Sequence, residues 1–599
     1  MNDHIQRIRK NVRSYLGMEL PERQIPLHFV LPAPVTGMKL EDLGNKDTRA
    51  DLADAAKMPQ EYFKLLQSKL RFLPRVPVSS GQRLSQLDIA EQLFFPKALE
   101  QVAELAKHGG IPDSEKRQQV LDSIAEIAQA MLLSYQIVFQ EYYAGDNFHY
   151  ARNHGEVLHC ATRILELVAF RQTVLGLRYQ QMSERDWQTA NATFHVMQVY
   201  EDTSAPIISL GKKLNLNASY HYSSLQDVFI TIQLIGLVDI MSWPTHLHGF
   251  LRNYIVAVSN PVQFRLDDGS SVLDRNSFIA ECHGKTPLRR GRTSSRSALI
   301  LDCRTFLDAV RRDCMNLVAS KRDRKPDLMP ERFFRIQDIE RYVVSDLLTR
   351  AFLMSETTVI PEQEQKAADL RVYVGFQAVF SLLRNTFNRG DSERLVDKLA
   401  KRSALMAEDH VATTESVWFM LHQDSKMIRL RTQETQFTTS MEVGALLSYG
   451  MGDEAVNSPR LAAVSRIHRP SAKMVVIDLF RLARYAEPVA IFPKSDLAEV
   501  AGDEKGYAAL LLHDELIGGW CLAFPPQGIL LAVKEMTLKR GDKSYDLTLA
   551  GLRNVTTDFY VFATSLTTEQ LGMEGKPEYP VPKKPMDDLD GSRWNQRFI

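Results

Sequence analysis

The sequence predicts an α+β protein: a helical N-terminal half, built as an antiparallel helix stack, followed by one or two C-terminal antiparallel β-barrels. Three observations carry this. From about Ser85 to Ile240, apolar residues recur at helical steps of three and four. From Glu415 to Phe492, short apolar or alternating runs are separated by turn-rich segments, the pattern of a small antiparallel barrel. A second strand-rich segment follows, from Gly506 to Ala563.

At 599 residues the chain exceeds one ordinary core, so several domains are expected. Hydrophobic residues make up 44% and charged residues 24%, the balance of a soluble globular protein. Lys+Arg and Asp+Glu both number 73, so the formal net charge is zero. A zero balance argues against whole-chain attraction to nucleic acid or an anionic membrane. The start, Met1-Asn2-Asp3-His4-Ile5, lacks the apolar core of a secretory signal. No run approaches the roughly 18 apolar residues of a spanning helix. Five scattered cysteines (Cys160, Cys282, Cys303, Cys314 and Cys521) fit reduced thiols packed as small apolar residues, as expected of a cytoplasmic protein.

In chain order, residues 1–80 form an extended and helical lead-in. Pro21, Pro26, Pro32 and Pro34 keep Leu20–Val35 extended, and two short helices follow, Asp42 to Met58 and Glu61 to Phe72. Residues 81–250 form the helical domain. Val120, Ile124, Ile127, Met131, Tyr135 and Val138 mark one helix, and Val157, Ala161, Ile164, Val168 and Leu175 a second. Leu225, Val228, Ile232, Ile235 and Val238 mark a third. Residues 251–354 are a mixed connector: the end of a short helix from His248 to Val258, a single strand at Ser297–Cys303, a charged linker at Lys321–Pro330 and a helix from Ile336 to Phe352. Residues 355–495 hold the barrel with its leading elements, among them a strand at Leu370–Phe376 running into a helix through Leu383. Residues 496–570 hold the second strand-rich segment, with strands expected at Tyr507–Leu512, Gly528–Val533, Glu535–Leu538, Tyr545–Leu549 and Phe559–Phe562. Residues 571–599, rich in Pro, Gly and charge, are expected to be a disordered tail.

The barrel stretch has a recognisable order. An aromatic-led strand (Val417-Trp418-Phe419-Met420-Leu421) meets the polar Gln423-Asp424-Ser425-Lys426. Then come Val443-Gly444-Ala445-Leu446-Leu447-Ser448-Tyr449, a strand ending in basic Arg466, and Val476-Ile477-Asp478-Leu479. In this order the stretch resembles the PilZ-type barrel of bacterial cyclic di-GMP receptors. The resemblance implies PilZ-like antiparallel barrels and a cytoplasmic bacterial regulatory or scaffold protein, non-enzymatic, acting by protein contacts and responding to cyclic di-GMP. It implies no cofactor beyond that possible ligand.

A cyclic dinucleotide carries two phosphates and two guanine faces. Holding it calls for arginine forks and a tight strand turn bearing Asp or Asn, Ser and Gly. The family's signature is an R-x-x-x-R lead-in and a D/N-x-S-x-x-G turn. Arg371 takes the second arginine place and Ala367 the first. Ser425 takes the serine place, with Gln423 at the acidic position and Ile428 at the glycine. The resemblance therefore implies Arg371, Asp424, Ser425 and Arg429 as the ligand set. The arginines would meet phosphate or guanine, and the Asp-Ser turn guanine or ribose.

Two other chemistries stay open on the residues. His149, His154 and His159, with Glu156, could serve a metal-dependent or hydrolytic enzyme. Steps of five, however, rotate successive side chains by about 140° around a helix, against the three- or four-residue spacing of a metal pair. The run Pro287-Leu288-Arg289-Arg290-Gly291-Arg292, extended to Arg296, could grip RNA phosphate. No Walker loop, GxGxxG, GxSxG elbow or clustered CxxC is present. The reading that follows is a binding protein with a protein partner, no membrane span and no nucleic acid.

Overall fold

The computed structural model describes residues 27, 29–107, 115–143, 153–199, 202–216, 220–259, 262–266, 276–289, 298–322, 329–334, 336–353, 369–388, 416–424, 426–434, 438, 441–471, 473–494, 506–514, 519–527, 530–531, 533–573 and 577–580. The chain divides into two compact units. One comprises Met1–Ile336 and Leu347–Glu356, the other Gln337–Asp346 and Thr357–Ile599.

The first unit is the helix stack. Its helices are α1 (Lys46–Ala55), α2 (Pro59–Leu70), α3 (Ser80–Lys107), α4 (Glu115–Tyr143), α5 (His154–Leu177), α6 (Glu184–Val199), α7 (Leu225–Val238) and α8 (His248–Val258). Local chemistry sets the ends. Asn45 caps α1 through the amide of Asp47, and Pro59 opens α2, where a missing N–H costs nothing. Ser224 and Asp227 form a reciprocal capping box on α7. Helix α5 is buried almost all round, as expected of a helix at the centre of a stack. Phe94 and Phe95 of α3 meet Phe170 of α5 edge-on, with ring centroids 5.5 and 5.4 Å apart.

A charged knot sits in this core. Arg163 donates from Nε to Glu91 and from Nη1 to Glu166, both at 2.7 Å, with all three side chains at most 3% exposed. Glu91 also accepts from the Tyr135 hydroxyl and from Lys213 Nζ, both at 2.6 Å. The second oxygen of Glu166 accepts from the Leu210 amide. The knot thereby ties the 208–213 segment to three helices.

The expected single strand at Ser297–Cys303 is instead the middle of a three-stranded antiparallel sheet. β1 (Gln263–Leu266) and β2 (Ser277–Glu281) flank β3 (Ala298–Asp302). Runs of four and five residues are too short to show a period, which is why the flanking strands escaped notice. Helix α9 (Arg304–Arg322) follows β3, and α10 (Asp338–Leu348) comes next in the chain.

The second unit holds two closed six-stranded antiparallel barrels. The first is ordered β4-β5-β6-β9-β8-β7, from β4 (Asp369–Val374), β5 (Ser416–Gln423), β6 (Met427–Gln433), β7 (Leu446–Met451), β8 (Arg460–Ser471) and β9 (Met474–Ala483). The second is ordered β10-β11-β12-β15-β14-β13, from β10 (Tyr485–Pro493), β11 (Tyr507–Asp514), β12 (Gly519–Phe524), β13 (Glu535–Arg540), β14 (Lys543–Val555) and β15 (Tyr560–Thr564). Counted from each barrel's first strand, both orders read one, two, three, six, five, four. The barrels are a tandem repeat of one topology.

Three expectations change here. Pro488–Phe492, read as the close of the first barrel, lies in β10 and opens the second, pairing with β11 and β13. Within Gly528–Val533, expected as a strand, Leu530 and Leu531 are helical, and the third strand is Gly519–Phe524. The Gly518-Gly519 pair reads as a turn, yet β12 begins at its second glycine and ends before Pro525-Pro526, which cannot continue a ladder. Within the span expected as a disordered tail, Leu571 is buried and Tyr579 packs on Tyr485 and Phe387. The expected helical stretch Asp397 to Asp409 lies outside the described residues.

Helix α11 (Phe376–Asn388) lies between the barrels. Its Phe376, Val379, Phe380 and Leu383 share one cluster with Leu446, Leu461 and Ala463 of the first barrel and Leu510, Cys521 and Val561 of the second. All five cysteines are buried and unbridged.

Candidate functional site

The turn expected to carry the signature, Gln423–Ile428, joins β5 and β6, strands two and three of the first barrel. Asp424 shapes its tip: Oδ1 accepts from the Lys426 and Met427 amides at 2.7 Å, and its own amide donates to the Met427 carbonyl at 2.9 Å. Burial opposes the Asp424 charge, but the Met427 and Lys426 amides and the His422 ring outweigh it, so the carboxyl sits below its ordinary value. Ser425 lies outside the described residues.

Arg429 points along the outer face of β6 and is engaged. Its Nε and Nη2 meet the two oxygens of Asp478 at 2.6 and 3.0 Å, a fork-on-fork pair between strands in register. Arg466 approaches the same carboxylate at 3.9 Å. Arg371 pairs in register with Val417 on β5, whereas Arg429 pairs with His422. That offset places the two arginines about 16 Å apart along the strand direction. The structure thus brings Asp424 and Arg429 to one end of a hairpin and leaves Arg371 at the other.

The shared topology points to a second, equivalent hairpin that the sequence reading missed. In the second barrel, strands two and three are β11 and β12. Their junction reads His513-Asp514-Glu515-Leu516-Ile517-Gly518-Gly519. Asp514 and Gly519 fall at the acidic and glycine places of D-x-S-x-x-G, with Leu516 in the serine place. Asp514 pairs with Gly519 across the hairpin. A Cβ on Gly519 would meet nothing within 4 Å, so backbone or ligand can approach there. Just before β10, Arg484 stands exposed in the second-arginine place, with Phe480 at the first and Arg481 one residue later. The available signal was this spacing; a first strand assigned to the wrong barrel hid it.

Beside that hairpin, Tyr485, His513 and Trp520 sit in register on adjacent strands, with Tyr485–Trp520 and His513–Trp520 centroids 6.0 and 5.0 Å apart. Trp520 Nε1 donates to Thr568, fixing the indole.

Among the described residues, His154, Glu156 and His159 form no metal-ligating group. His154 pairs with Asp202 at 2.8 Å and Glu156 is exposed, while His159 turns to Tyr135, its basicity lowered by burial and by Arg163. His149 lies outside the described residues. Among the described residues no group of three or more metal-ligating side chains occurs. Of the basic run, Arg289 pairs with Glu281, and Arg290, Arg292 and Arg296 lie outside the described residues. No described helix is long and apolar enough to cross a membrane.

The fold is thus a helical unit and a unit of two PilZ-like antiparallel barrels with one shared topology. Residues 51–267, within the helical unit, match the family model described as "Cyclic-di-GMP receptor FimW, N-terminal domain". Among solved structures the chain is similar to "MrkH, A novel c-di-GMP dependence transcription regulatory factor". That match has 8% identity, covers 36% of this chain and 94% of that one, and has a TM-score of 0.12. At that identity and score the likeness carries no functional argument. No curated protein matches.

Proposed function

We propose that this chain is a cyclic-di-GMP-responsive regulatory or scaffold protein of the cytoplasm, working by binding and protein contact rather than catalysis. The observation that carries the reading is the repeated barrel topology. It supports reading Arg484, Asp514 and Gly519 as the signature residues of the second barrel. The helical half's match to a cyclic-di-GMP receptor family supports the same ligand from an independent part of the chain.

In this reading Arg484 and Arg481 fork onto phosphate or a guanine edge, Asp514 accepts from guanine, and Gly519 allows the base to approach. Leu516 replaces the serine hydroxyl and forfeits one hydrogen bond, about 0.5–1.5 kcal/mol, so affinity is expected below that of a complete signature. A second reading places the ligand on the first barrel with Arg371, Asp424, Ser425 and Arg429. The Arg429–Asp478 fork weighs against it, because a phosphate would have to displace an in-register carboxylate.

Titration calorimetry of cyclic di-GMP into the full chain tests the reading. Saturable heat, lost in Asp514→Ala, supports it; no heat up to high micromolar ligand ends it.

A further inference from the structure

We infer that the β5–β6 hairpin of the first barrel senses whether the second barrel's ligand site is occupied, with Arg481 as the shared residue. The inference rests on the ligand reading above and adds how occupancy is communicated.

Strands β9 and β10 are separated by Arg484 alone, so the ladder passes from one barrel into the other without a loop. Arg481 sits three residues before that switch. Its amide donates to the Lys426 carbonyl at 2.9 Å, and its Nη1 donates to the Asp424 carbonyl at 2.9 Å. Its Nε reaches the Tyr449 hydroxyl only at 3.4 Å. The guanidinium of this residue, three positions before the switch, is therefore spent on the tip of the first barrel's hairpin.

The tip has little else to hold it. Its remaining described contacts are local, the bonds from the Lys426 and Met427 amides to Asp424 and His422 Nε2 at 3.6 Å from the same carboxylate, and the Asp424 side chain is 44% exposed. Such an element opens at low cost. A guanidinium–phosphate bond is charge-assisted and outcompetes a guanidinium–carbonyl bond. A bound phosphate draws Arg481 away, and the tip loses its side-chain tether. Met427, in register with the partly exposed Phe480, lies at the base of the released tip. Release therefore changes an apolar edge that a protein partner can read. Coupling of this kind is reciprocal: whatever loosens the tip must favour the ligand.

Hydrogen exchange over residues 420–430 of the full chain, run beside calorimetry with cyclic di-GMP, tests the inference. Ligand is expected to raise exchange there several-fold. Arg481→Gln is expected to show raised exchange without ligand and no further rise with it. Asp424→Ala, which loosens the tip without touching the guanidinium, is expected to bind ligand about fivefold more tightly. Binding heat with unchanged exchange at 420–430, or unchanged affinity in Asp424→Ala, overturns the coupling and leaves the ligand reading standing. Absence of heat removes the ligand reading itself, and the coupling with it.

Discussion

Asp558, on the loop between β14 and β15, caps a helix that begins 182 residues earlier: its Oδ2 accepts from the Phe376 amide at 3.0 Å. The same oxygen accepts from the Leu446 amide of β7 at 2.8 Å. One buried carboxylate of the second barrel thus holds both the start of α11 and a strand of the first. Gly444, at φ +93°, lets the backbone lie against Thr556 and Thr557 next to this joint, where a Cβ would meet both at 3.1 Å.

Asp558→Ala is expected to destabilise the barrel unit by about 1–3 kcal/mol, because two buried amides lose their acceptor. Asp558→Asn keeps an acceptor oxygen and carries no buried charge, so it is expected to match wild type near pH 4 and to be the more stable at neutral pH. Denaturant melts followed on the barrel-unit tryptophans Trp418 and Trp520 measure both.

The pH dependence follows from the same group. Burial pushes the Asp558 carboxyl up to about 6, against its two amide hydrogen bonds, and Glu442 adds to the rise. A folded value above the unfolded one means that its contribution is fully present below about pH 4 and is lost as pH climbs through 6. Relative to Asp558→Asn, wild-type stability should therefore fall by up to about 3 kcal/mol between pH 4 and 7. A constant difference across that range would contradict the assignment.

Tyr579 ties the end of the described chain to both barrels. Its hydroxyl donates to the Pro459 carbonyl at 2.7 Å and accepts from the Ala486 amide at 3.0 Å. Tyr579→Phe should cost about 1–2 kcal/mol, since it leaves a buried amide unpaired while keeping the ring. Thermal melts of the variant measure it.

In the helical unit, Arg163→Met should be severe. It leaves Glu166 buried with the Leu210 amide and no cation, and Glu91 with Lys213 and Tyr135 alone, and breaking a buried ion pair costs about 3–5 kcal/mol. The helical unfolding transition, followed by circular dichroism, should move to lower denaturant.

The helices were legible because their apolar residues keep step over many turns, as in Val157 to Leu175. The strand-rich nature of the C-terminal region was legible from alternation such as Met474–Leu479. What could not be read was where one barrel stops. The switch from β9 to β10 takes a single residue, Arg484, with no turn chemistry to mark it. Losing that boundary hid the second hairpin, because Arg484 acquires meaning only as the residue before a first strand. The partner of Arg429 was likewise out of reach: Asp478 meets it through register across 49 residues, which no local pattern encodes. Asp558 as a helix cap is the same kind of information at longer range.

The central claim is that the second barrel, not the first, holds the dinucleotide. Calorimetry of the full chain with cyclic di-GMP, comparing Arg484→Ala with Arg371→Ala, tests it most directly. The account predicts that Arg484→Ala weakens binding at least tenfold, the loss of one charge-assisted fork, while Arg371→Ala binds as wild type does. Binding lost in Arg371→Ala and retained in Arg484→Ala would contradict it.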